Sequence, residues 1–98
     1  MRDFCKMAVK ETDIENSLKI LKKSGAKKVF LFGSALISPQ DARDLDLAYE
    51  GIPIDNFLDT VGELIDNIDI KVDLIDLSED TPFTRFIKKY GKVIYESK

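Results

Sequence analysis

The chain has 98 residues, 44% of them hydrophobic and 34% charged. That is enough apolar material for one small domain and too much for a disordered one, and a domain of this size buries only about two-thirds of its unfolded surface. A single cysteine, Cys5, and no histidine exclude an internal disulfide, a structural zinc site and any histidine-based triad. Chemistry is left to carboxylates, hydroxyls, lysines or a hard, oxygen-bound metal. No apolar run approaches the roughly 20 residues of a membrane span, and Met1-Arg2-Asp3-Phe4-Cys5-Lys6 does not read as a signal peptide, so the expected address is the cytoplasm.

The net charge of −3 is unevenly spread: residues 1–28 sum to +4, residues 29–80 to −11 and residues 81–98 to +4. An acidic middle between basic ends argues against direct nucleic-acid binding, which needs a continuous basic face. It suits a cation site flanked by lysines, or simply a solvated surface.

In chain order, Thr12-Asp13-Ile14-Glu15 reads as a capping box. Ile14, Leu18 and Leu21 follow at helical spacing, and Lys22, Lys23 and Gly25 mark the stop. Lys28-Val29-Phe30-Leu31-Phe32 is a compact buried strand ending at Gly33-Ser34. Ala35-Leu36-Ile37 fits one helical turn before a loop around Pro39. Asp44 to Tyr49 alternates polar and apolar residues as a half-buried strand does. Residues 54–68 form an amphipathic helix with a wide apolar stripe of Ile54, Phe57, Leu58, Val61, Leu64, Ile65 and Ile68. Ile70 to Leu77 alternates again, with Ile70, Val72 and Leu74 on one face and Lys71, Asp73 and Ile75 on the other. Thr81-Pro82 starts a helix whose expected core stripe is Phe83, Phe86, Ile87 and Tyr90. Gly91 closes it, and Val93-Ile94-Tyr95 is a short strand or a docked tail. The order predicts a single α/β (α+β) domain, a small mixed sheet with helices packed on one face and the other face open.

Chemistry concentrates at a few positions. Gly33 lets the chain turn sharply and approach a ligand, and Ser34 adds a hydroxyl and a free amide suited to phosphate oxygens. Asp44 and Asp46, two apart on a strand, project from one face while Leu45 and Leu47 turn inward. Two neighbouring carboxylates repel, and a divalent cation such as Mg²⁺ removes that cost. Asp73, at the centre of an apolar strand, needs solvent or a cation. Strand parity predicts that all three carboxylates share one cleft, with Asp76 on the opposite face as a surface or capping residue. Lys71 shares Asp73's face, and a plain ion pair is the simpler role for it.

Gly33-Ser34, nine residues, Asp44-Leu45-Asp46-Leu47, a helix and then a lone strand aspartate, Asp73, resemble the polymerase-beta-type nucleotidyltransferases. Within them the chain resembles the minimal nucleotidyltransferases. The likeness runs from about Lys28 to Tyr95 and includes the tail Tyr90-Gly91-Lys92-Val93-Ile94-Tyr95. The resemblance implies a nucleotidyltransferase fold, with Mg²⁺ or Mn²⁺ held by Asp44, Asp46 and Asp73 and these as catalytic residues. It implies nucleotide held at Gly33 and Ser34, transfer of AMP from ATP to a hydroxyl, and an antitoxin role in which the acceptor is a tyrosine of a HEPN-type toxin. A homodimer is left open. The family usually follows Gly-Ser with two arginines, where this chain has Ala35, Leu36, Ile37 and Ser38. Arg43, Lys27 or Lys28 would have to stand in for the missing charge. The alternatives are a catalytically weakened module of the same fold that binds and masks a partner, and an unrelated small domain with acids on its surface.

Overall fold

The computed structural model describes residues 9–38 and 40–97. Cys5 and Pro39 lie outside the described residues. Among these, the elements run α1 (Glu11–Ser24), β1 (Lys28–Phe32), α2 (Ser34–Ile37), β2 (Asp44–Glu50), α3 (Ile54–Asn67), β3 (Lys71–Asp76), α4 (Pro82–Tyr90) and β4 (Lys92–Glu96). The strands form one four-stranded mixed sheet in the order β3-β2-β1-β4. β1 is antiparallel to both β2 and β4, whereas β2 and β3 are parallel, joined through α3.

Alternation in the strands decides what lies on each face. Val29, Leu31, Leu45, Leu47 and Tyr49 point to one side and pack with Leu21 of α1 and Leu64 and Ile68 at the end of α3. Leu21, Leu45 and Leu47 are wholly buried. Two polar links tie the helices over this face: Thr60 donates to Ser24 Oγ at 2.7 Å, and Lys23 pairs with Glu63. α1 starts one position before Thr12, because Asp13, not Glu15, reaches back to accept the Lys10 amide at 2.9 Å. It ends as expected at Gly25, whose φ of 112° is a left-handed turn that favours glycine.

The second face is not left bare, which corrects the expectation of helices on one face alone. Phe30, Ala48 and Leu77 form a smaller core with Ile87 of α4, joined by Phe32 and Ile75. α4 therefore crosses to the far side of the sheet. Its start is fixed by Thr81, whose Oγ1 accepts the Thr84 amide at 3.1 Å, while Thr84 Oγ1 donates to the Glu79 carbonyl at 2.7 Å. Of its expected core stripe only Ile87 is buried; Phe83, Phe86 and Tyr90 are all at least half exposed. The stripe on α3 is likewise narrower than the sequence suggests, with Ile54, Leu58 and Ile65 in solvent. In both helices the apolar arc is wider than the sector a flat sheet can cover.

Candidate functional site

Because Leu45 and Leu47 fill the main core, Asp44 and Asp46 are obliged to face the other side of the sheet. β3 obeys the same parity: Val72 and Leu74 pack inward, and Asp73 shares the face of Asp46. The register then sets Asp46 directly beside Asp73, Asp44 beside Lys71, and Phe32 beside Asp46 on the opposite flank. The sequence expectation of three carboxylates on one face of two adjacent strands is met in this geometry. Asp76 falls on the other parity and accepts the Ser78 amide at 2.9 Å, a turn cap.

Asp46, the central carboxylate, is electrostatically strained. Asp46 is half-buried, and its pKa is raised above the ordinary 3.8, first by burial, then by the charge of Asp73, by hydrogen bonding with Asp73 and by the charge of Asp44. Lys71 opposes this in part; its Nζ lies 3.5 Å from Asp73 Oδ1. That ion pair is the plain role the sequence allows for Lys71.

Gly33 closes the floor of the site. It has φ 76° and ψ −156°, and a Cβ at this position would overlap the Asp46 carboxylate. The glycine is needed twice, for its backbone and for the space. Its carbonyl accepts the Leu36 and Ile37 amides, starting the short α2, where Ala35 is buried and Ser34 exposed. Arg43 stands exposed immediately before β2, without an ion pair to any of the three aspartates among the described residues. Lys27 and Lys28 cannot replace the missing arginines. The Lys27 amide binds the Glu50 carbonyl, and Lys28 pairs with Glu96, both at the opposite end of β1 from Phe32.

Among the described residues no three acidic side chains converge tightly enough to cage an ion alone. Mg²⁺ is commonly held by one or two carboxylates and completed by water and substrate phosphates. The hard oxygen donors, the mutual repulsion of Asp46 and Asp73, and the space that Gly33 leaves beside Asp46 fit such an ion. Sequence reasoning missed two aromatic residues at the rim. Helical spacing puts Phe83 in the core stripe, yet it is half exposed and its ring meets that of Phe32 edge to face at 6.0 Å. Parity could have placed Phe32 here, since it precedes Gly33 and shares the exposed-acid face.

These features match a known class. The family described as "Polymerase beta, Nucleotidyltransferase" matches residues 15–98, and the chain belongs to it. A toxin–antitoxin structure with AMP-PNP is similar at 27% identity and a TM-score of 0.68, covering 86% of this chain and 74% of the other. A toxin–antitoxin MntA–HepT structure is similar at 20% identity and a TM-score of 0.66, over 90% and 74%. A mutant form of such a complex gives 23% identity and a TM-score of 0.69, over 87% and 73%. Among curated proteins no match reaches significance. No helix among the described residues is long and apolar enough to cross a membrane.

Proposed function

We propose that this chain is a metal-dependent nucleotidyltransferase that moves AMP from ATP to a protein hydroxyl, a tyrosine of a helical HEPN-type toxin, and so acts as an antitoxin. The observation that carries the reading is the side-by-side placement of Asp46 and Asp73, with Gly33 against Asp46, an anionic pair that a cation would relieve. Asp44 and Asp46, with Asp73, would hold Mg²⁺ or Mn²⁺. When bound, the metal would neutralise the triphosphate and stabilise charge on the leaving pyrophosphate. Gly33 admits the phosphates close to the backbone, and the Ser34 hydroxyl and amide are free to bind their oxygens. The acceptor oxygen bonds to the α-phosphorus as the bond to the bridging oxygen breaks, and pyrophosphate departs. Asp73 takes the acceptor proton, a role suited to a partly exposed carboxylate. The similar structures are toxin–antitoxin complexes, one of them with AMP-PNP, which supports both the partner and the donor.

The test is mass spectrometry of a helical HEPN-type partner after incubation with this chain, ATP and Mg²⁺. Added AMP that disappears in Asp44→Ala and Asp73→Ala is the expected result. The absence of arginine from Ala35-Leu36-Ile37-Ser38 favours a second reading, in which the fold masks a partner without catalysis. A tight complex, unmodified and indifferent to Asp44→Ala, would establish that reading instead.

A further inference from the structure

The aromatic residues at the rim form a site of their own. α4 lies across the second face so that its two sides look toward opposite ends of the sheet. On one side Lys88 reaches Glu50 at 3.7 Å, at the end where β2 pairs with Lys28. On the other side Phe83 meets Phe32, which pairs with Asp46. Directly opposed residues of antiparallel strands are about 4.5–5.5 Å apart, so this ring pair borders the carboxylates. Phe83 stands at 79° to Phe32 and is 50% exposed. It is held from behind by one aromatic ring and open to solvent at the edge of a cleft that otherwise presents charge.

We propose that Phe83, buttressed by Phe32, is the platform on which the base of a bound nucleoside triphosphate stacks. The proposal rests on the nucleotidyltransferase reading above. Phosphates seated at Gly33 and Ser34, directly after Phe32 in the chain, leave the sugar and base within reach of the adjoining rim, where Phe83 is the exposed aromatic ring beside Phe32. The phosphate end of the site is poor in cations, because α2 carries none. The base must then supply a large share of the affinity, and an aromatic face supplies it for any nucleobase. The platform therefore recognises a nucleoside and contributes nothing to bare polyphosphate.

Calorimetric titration with Mn²⁺–AMP-PNP and with Mn²⁺–tripolyphosphate separates these contributions. Phe83→Leu should weaken AMP-PNP about tenfold and leave tripolyphosphate unchanged, whereas Phe83→Tyr should retain wild-type affinity for both. The chain has no tryptophan, so Phe83→Trp introduces a sole reporter, and its emission should be quenched by AMP-PNP but not by tripolyphosphate. Equal AMP-PNP affinity in wild type and Phe83→Leu would overturn the proposal. So would equal loss of both ligands, since the ring would then only be shaping the phosphate site. A wild-type protein that binds neither ligand would refute the nucleotidyltransferase reading itself, and the platform with it.

Discussion

The two faces of this sheet are built from the same strands and obey opposite rules. On one, Leu45 and Leu47 are sealed beneath α1 and α3, and every neighbour reinforces burial. On the other, α4 covers only the half around Phe30 and Ala48, and the uncovered half holds Asp46 against Asp73. The first face stabilises the fold; the second spends part of that stability on a repulsive pair. Residues one apart in β2 thus serve opposed ends, as expected where a rigid scaffold carries a functional site.

Substitutions in β2 sharpen the contrast most. Leu47→Ala, in the sealed core, should cost about 2–5 kcal/mol in urea denaturation. Asp46→Asn, one residue away, should leave stability at pH 7 unchanged or increase it, because it removes a strained charge, while abolishing most Mn²⁺ binding in calorimetry. A comparable loss of stability in both variants would break the comparison.

Gly33→Ala comes next. It forces a side chain into the left-handed region and against Asp46, and should cost about 1–3 kcal/mol, with a parallel loss of Mn²⁺ affinity. An alanine tolerated without either effect would mean that the floor of the site yields.

The pH dependence is smaller, and its sign is distinctive. Asp46 holds its proton more tightly folded than unfolded. The folded state therefore binds more protons in the window between the ordinary carboxylate value and the raised one, and Asp46 makes stability increase as pH falls through that window. The penalty is complete above the raised value and absent below the ordinary one. Subtracting the pH–stability profile of Asp46→Asn from that of wild type should isolate this trend, and Mn²⁺ binding should weaken over the same interval. Smallest of all, Thr81→Ala removes the cap of α4 and should cost about 1 kcal/mol.

Much of this architecture is legible in the sequence. The shared face of Asp44, Asp46 and Asp73 follows from strand parity, which fixes sides with a period of two and tolerates no intermediate answer, and Gly33 follows from the abrupt end of the strand before it. The helical stripes were less reliable. Periodicity groups Phe83, Phe86, Ile87 and Tyr90 on one arc, but only Ile87 meets the sheet, because the arc does not say which of its edges faces a neighbour. Nor could periodicity show that α4 crosses to the second face; that depends on the path from Leu77 through Thr81. Lys27 and Lys28 are near Gly33 in sequence and distant in space, since a five-residue strand separates its two ends.

Asp73 also lies on a strand at the border of the sheet, where one row of backbone amides and carbonyls has no strand partner among the described residues. Such a border invites another molecule to add a strand, more so here because Val72, Leu74 and Ile70 line an apolar groove beside it with Ile65. Lys71 and Asp73 put charges of both signs along that border, and charge is the usual guard against unwanted strand addition. The Asp73 carboxylate therefore also guards this border against a second copy of the chain, and Asp73→Ala should self-associate at concentrations where the wild type does not.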